Sequence, residues 1–370
     1  MPMLWTKSAE YGALAELPHE DRPFVAPLAM VRAIVTPRAR TDEETGASIP
    51  VKPPTYKAHL AATLEWLRGI ASLPPGLFGG DFAVLFVDVR ALQRQKMRKF
   101  VLRDIQRGLG EDARRFVPVV AENSLTRHYA AAATWNAEHR CGVALRVVQD
   151  RRRVQYLPGL PDLLATALAV KCGVESVDLI VDLGHVEPNE IAHLEATLPD
   201  RLRDYCTVPW RTVTLVAGGF PKSISKLKYT TTPIPRIDFI LWRRIADSLA
   251  RTGSRIPFFG DYGMLYPTAG GGFAPEVPPN IRLTCDLTWE VFRRARPSDV
   301  REMCRSILKM YRDKLDPRNW GVGWIADRAK GVKVRRNGKE QTVNGNAMIW
   351  LKVALSYHLS FVARQMKGSS

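Results

Sequence analysis

Apolar, β-rich runs recur along the chain, and segments with helical spacing separate them. The runs cover residues 3–7, 24–31, 82–89, 116–121, 143–148, 177–183, 212–217 and 256–259. One of them, FAVLFVDV at 82–89, is almost continuously apolar. Strands covered on both faces read this way, because neither face meets water. Helical patterns fill the intervals at 8–17, 59–72, 93–109, 128–139, 161–172, 188–198 and 236–250, the first opening on Ser8 as a cap. A polar, Pro-containing stretch at 36–54 predicts a long loop.

Strands alternating with helices predict a parallel sheet, since each parallel crossover needs a connecting segment. Eight units within residues 3–259 fit a closed (β/α)8 barrel of the TIM type better than an open sheet. A doubly wound sheet carries a Gly-rich phosphate loop after its first strand. The segment there, TKSAEYGAL, contains neither GxGxxG nor GxxxxGK[ST]. After the eighth strand the rhythm breaks. A Gly/Pro-rich loop at 268–279, a strand at 281–285 and a helix at 297–315 capped by Ser298 come next. A basic stretch at 328–339 with the turn Asn337-Gly338, and a last amphipathic helix at 347–365, close the chain. The expected organisation is a barrel over 1–267 with a basic C-terminal α/β extension, 268–370, packed on it.

Composition narrows the class. No apolar run approaches the roughly 18 residues of a membrane span. The opening MPMLWTKSAEYG lacks a basic region followed by an apolar signal core. A cytoplasmic protein without a membrane segment is therefore expected. The cysteines, Cys141, Cys172, Cys206, Cys285 and Cys304, are odd in number, scattered and without a CxxC pair. Reduced, buried thiols explain them better than a zinc site or a disulfide framework. A formal net charge of +17 favours polyanionic partners such as nucleic acid, nucleotides or acidic proteins. A basic surface kept for solubility is the alternative.

In a barrel of this kind the functional site lies at the C-terminal ends of the strands. That rule turns the strand pattern into residues. Lys7 and Glu10 follow the first strand, Asp88 and Arg90 the third, and Glu122 and Asn123 the fourth, with Arg127 and His128 beyond. Arg146 lies within the fifth strand. Asp182 and His185 end the sixth, Gly218, Gly219 and Lys222 the seventh, and Asp261 and Tyr262 the eighth. Asp88, Glu122, Asp182 and Asp261 are the candidate catalytic acids. Convergent carboxylates can hold a divalent metal or divide acid and base roles. They can equally form a salt-bridged ring closing the barrel mouth. Lys7, Arg90, Arg127, Arg146 and Lys222 are the candidates for holding phosphates. His185 can serve as a general base or stand as a surface histidine. Gly218-Gly219 can admit a phosphate to the backbone or make a tight turn. Residues 268–272 can form a lid or a plain connection. No HExxH, GxSxG or histidine cluster at metal spacing occurs.

Four basic segments stand out: Arg94, Lys96, Arg98, Lys99 and Arg103; Arg151-Arg152-Arg153; Lys222, Lys226 and Lys228; and 328–339. Three begin at expected strand ends, so a nucleic-acid backbone can lie across one face. Tyr229, Trp320 and Trp324 can stack on bases or anchor the core.

Several segments together carry a family resemblance: LWTKSAEYGAL with FVAPLAMV, then PFFGDYGMLYP, PPNIRLTCDLTWEVFRR, and NWGVGWIADRA followed by NGNAMIWLKVALSYHLSFV. The chain resembles the beta protein family, named after a phage T4 protein, over nearly its full length. FGDY with IRLT is the most specific piece, and Gly345-Asn346 with His358 a second anchor. Family members often carry a second histidine beside the late one, where this chain has Tyr357-His358. The resemblance implies a fold and a setting in phages or bacterial mobile and defence loci. It implies no agreed activity. It singles out Lys7, Glu10, Asp261, Tyr262, Trp289, Trp320, Asn346 and His358. The expected function is a phage- or antiphage-defence-associated barrel that binds nucleic acid or nucleotide at its rim, with metal-dependent phosphoester chemistry if it is an enzyme. The alternative is a non-catalytic protein-interaction subunit of a phage or defence complex. A phosphate-ester or glycan hydrolase is a third reading.

Overall fold

A parallel sheet of eight strands organises the chain. Its strands are β1 (Met3–Trp5), β2 (Leu28–Met30), β3 (Leu85–Asp88), β4 (Phe116–Ala121), β5 (Val143–Val148), β6 (Val177–His185), β7 (Thr212–Gly218) and Phe258–Asp261, the last being β9 in chain order. Each strand pairs with the next around the sheet, and a parallel bridge from Pro2 to Asp261 brings the two edges together. The result is a nearly closed barrel in a mixed α/β fold. The computed structural model describes residues 1–34, 40–41, 48–49, 53–73, 84–93, 101–122, 124–149, 157–267, 280–294, 300–336, 339–342 and 344–368.

Alternation along the strands sorts the core into two layers. Outward residues such as Leu4, Ala29, Val87, Val120, Leu145, Leu179 and Leu215 pack under the helices. Those helices include α1 (Ser8–Ala15), α2 (Tyr56–Ala71), α3 (Val101–Leu109), α4 (Thr126–His139), α5 (Leu160–Ala169), α6 (Ile191–Cys206) and α7 (Ile237–Arg251). Inward residues Met3, Trp5, Leu28, Met30, Phe86, Val117, Val119, Ala144, Ile180 and Val216 fill the barrel with Tyr262. No helix among the described residues is long and apolar enough to cross a membrane.

Two strands not expected from the pattern join the late segment. β8 (Thr231–Pro235) pairs antiparallel with β11 (Thr288–Arg293), which pairs with β10 (Asn280–Thr284). Pro233 and Pro235 lack amide donors, which fits the edge position of β8. The helices α8 (Val300–Met310), α9 (Trp320–Lys330) and α10 (Ala347–Lys367) follow. The pattern missed α9 because Gly321 and Gly323 lower its helix propensity. Gly321 is needed for contact: a Cβ there would stand 2.6 Å from the Val353 carbonyl oxygen of α10. Residues Leu355, Leu359 and Ala363 of α10 join the same core as the barrel strands.

Some boundaries move. The eighth barrel strand runs Phe258–Asp261 instead of 256–259, so Asp261 lies inside it. Ser8 does not cap α1. Lys7 holds the cap position in an extended conformation, without a side-chain bond. The cysteines are free, with Cys304 buried and the other four half-buried. The expected lid at 268–272, the Ser298 cap, the Asn337-Gly338 turn and most of the 36–54 loop lie outside the described residues.

Leu179 is fully buried in the centre of β6, whereas Phe258 is 60% exposed. Leu179→Ala should lower unfolding free energy by about 2–5 kcal/mol. Phe258→Ser should change it by less than about 1 kcal/mol. Urea titration followed by circular dichroism separates the two.

Candidate functional site

Three strands, β3 and the neighbouring pair β5 and β6, place charged side chains inside the top of the barrel. β3 ends on Asp88, β5 carries Arg146 at its centre, and β6 brings Asp182. In the sheet register, Arg146 lies opposite Ala121 and Ile180, and Asp182 opposite Val148 and Val216. All three charges are almost fully enclosed, with 4% exposure or less. An enclosed guanidinium must be neutralised and hydrogen-bonded to persist. Arg146 donates from Nη1 to Asp88 Oδ2 at 2.5 Å, and from Nε and Nη2 to Asp182 Oδ2 at 3.0 and 2.5 Å. Nη2 also donates to the Tyr262 hydroxyl at 2.7 Å, and that hydroxyl donates to Asp182 Oδ2 at 2.8 Å.

The rest of the network points outward. Asp88 accepts from the Arg90 backbone amide at 2.9 Å and from Arg90 Nε at 2.8 and 3.2 Å. Asp182 Oδ1 accepts from the Gly184 amide at 2.9 Å. Asp88 would lose its charge on burial, but Arg90 and Arg146 outweigh that and hold its pKa below the ordinary 3.8. Burial disfavours the Arg146 charge, yet Tyr262, Asp182 and Asp88 more than compensate and raise its pKa. Burial, followed by the Arg146 charge, lowers that of Arg90.

A second buried chain ties the late segment to the barrel. His358 Nε2 donates to Asp261 Oδ2 at 3.0 Å, while Nδ1 meets Thr284 Oγ1 at 2.8 Å. Asp261 Oδ1 accepts from the Gly263 amide at 3.0 Å. Burial pushes the Asp261 pKa up, but His358 and nearby cations reverse that and lower it. Beside it, Asp238 is fully enclosed, and neither carboxylate oxygen has a hydrogen-bond partner among the described residues. Burial lifts its pKa to about 7, against the pull of Arg236. Trp289 is fully buried and packs edge-on against Phe220 at 5.4 Å.

The remaining expected residues do not join either chain. Glu122 is half-buried. Burial and then the Asp162 charge raise its pKa. Arg127 and Lys222 are exposed, and Lys7 is half-buried. His185 contacts Glu187 at 3.0 Å and packs at a tilt against the Tyr266 ring, 4.5 Å between centroids. His128 is buried, and desolvation followed by the Arg127 charge lowers its pKa to about 4. Trp320 and Trp324 stack on one another at 5.6 Å. Arg94, Lys96, Arg98, Lys99, Asn123 and Arg151-Arg152-Arg153 lie outside the described residues.

The four expected acids thus divide. Asp88 and Asp182 converge on Arg146, Asp261 turns to His358, and Glu122 stands apart. Their fit to a divalent cation is poor: the two convergent carboxylates share one guanidinium. Among the described residues no group of three His, Cys, Asp or Glu side chains could hold an ion. The expectation of Arg146 as a phosphate ligand meets the same obstacle, since its donors already face Asp88, Asp182 and Tyr262. The residues that sequence reading missed are Thr284, which meets His358, and Asp238, which no positional rule for strand ends would reach.

A family model described as Beta protein matches residues 1–364. The chain belongs to the beta protein family. That match takes in the Arg146 network and the Asp261–His358–Thr284 chain alike. No curated protein and no solved structure matches this beta protein.

Removing one partner of an enclosed ion pair strands the other. Arg146→Met should therefore destabilise by about 3–5 kcal/mol. The Asp88 pKa is lower in the folded state than the ordinary 3.8, so its contribution is present above that value and fades as pH falls through the folded pKa. Acid unfolding of the wild type should accordingly be steeper below about pH 4 than that of Asp88→Asn. Melting temperatures between pH 2 and 7 give the comparison, and parallel curves would contradict it.

Proposed function

We propose that this protein binds phosphate groups of nucleic acid or a nucleotide at the C-terminal rim of its barrel, in a phage or antiphage-defence setting. One observation carries the reading. Asp88 grips Arg90 through its backbone amide and Nε, while Nη1 and Nη2 have no hydrogen-bond partner among the described residues. The Arg90 side chain is 18% exposed, so those donors stand at the mouth of the barrel. A guanidinium fixed at one edge and open at the other suits a phosphate. Lys7, Arg127 and Lys222 would add charge around it, within a chain of formal charge +17. The finer architecture in this reading is a TIM-type (β/α)8 barrel over 1–267 with a C-terminal extension over 268–370, in a cytoplasmic protein.

The second reading, a non-catalytic interaction subunit of a phage or defence complex, draws on the inner acids. Asp88 and Asp182 are satisfied by Arg146, which leaves them poorly placed to act as acid and base.

Filter binding of a single-stranded oligonucleotide at 50 and 200 mM salt tests the phosphate reading. The expected affinity falls at least tenfold between the two, and Arg90→Ala weakens binding at low salt. Affinity that ignores both salt and Arg90→Ala supports the interaction-subunit reading instead.

A further inference from the structure

Glu10 is the most anomalous charge at the rim. It lies in the first turn of α1, directly after β1, and is 1% exposed. Neither carboxylate oxygen has a side-chain partner among the described residues. Burial raises its pKa, and Lys7, its own backbone amide and Arg32 pull the other way. Lys7 follows β1 and Arg32 follows β2, the neighbouring strand. Both cations are close enough to act on Glu10, yet neither makes an ion pair with it among the described residues. Arg32 Nε is itself buried without a partner. Their positions are fixed by the backbone. The Lys7 carbonyl accepts from Trp66 Nε1 at 2.9 Å, and the Arg32 carbonyl meets His59 Nε2 at 2.9 Å.

A buried carboxylate without a side-chain donor and a buried guanidinium nitrogen without an acceptor are both costly. A ligand that brings two adjacent N–H groups to Glu10 and an anion to Lys7 and Arg32 would relieve both. Among the common bases only guanine presents two neighbouring donors, N1–H and the 2-amino group, on one edge. A carboxylate accepts such a pair with both oxygens. We propose that Glu10, Lys7 and Arg32 form a guanine-nucleotide subsite, with Glu10 reading the base and the two cations holding phosphate. This deepens, and rests on, the phosphate reading of the rim. Because Glu10 is enclosed, its cover has to shift to admit the base.

Isothermal titration of the full chain with GMP, IMP, AMP and inorganic phosphate is the test. IMP keeps N1–H and lacks the 2-amino group. GMP should bind about tenfold or more tightly than IMP and AMP, the cost of one unmade charge-assisted bond. Glu10→Gln should bring GMP to the AMP level without lowering the melting temperature, since it removes an enclosed charge. Lys7→Ala should weaken GMP, AMP and phosphate alike. Single-stranded oligonucleotides with and without guanine show whether the base is read free or within a strand. Equal binding of GMP and AMP, both weakened by Arg90→Ala, would overturn the guanine assignment and leave the phosphate reading standing. Failure of every nucleotide and of phosphate to bind would overturn both.

Discussion

A guanidinium enclosed in a barrel imposes conditions on everything around it. Arg146 meets them with Asp88 on one side, Asp182 on the other and Tyr262 above. These partners come from β3, β6 and the end of β9, so one side chain ties together strands far apart in sequence. Such an ion pair adds little net stability over a packed apolar core, because desolvation offsets its attraction. Its consequence is geometric. With Asp88 committed to Arg146, the same carboxylate fixes Arg90 at the mouth. The outer cation is therefore positioned by the inner one, through a shared acid.

The His358 chain sets the second condition. It joins α10 to β9 through Asp261 and to β10 through Thr284. Apolar residues of α10 reinforce that link by entering the barrel core. The small antiparallel sheet and α10 thus bear directly on the strand that carries Tyr262, which caps Arg146.

Much of this was legible beforehand where a single periodicity ruled. The runs at 116–121 and 143–148 coincide with β4 and β5, because both are nearly continuous apolar runs, interrupted in β5 by Arg146, that end abruptly. Legibility failed where tertiary contact overrode local preference. The glycines of α9 weaken a helix that packing against Val353 requires. The prolines of β8 hide a strand that tolerates them at an edge. At the site, position along a strand named Asp88, Asp182, Arg146 and Tyr262, but it could not say that they face one another. Charge sign alone suggested acids gathered for a metal and bases gathered for phosphate. The register instead set Arg146 between two of the acids. Thr284 was marked only as part of the IRLT segment and Asp238 not at all, since each acquires its role from residues distant in sequence.

Arg146, and no ion, occupies the space between Asp88 and Asp182. A crystal structure of the full chain grown with Mn²⁺ tests it through anomalous scattering. The expected map shows Arg146 hydrogen-bonded to both carboxylates and no anomalous peak between them. A peak bridging Asp88 and Asp182, with the guanidinium swung aside, would contradict it.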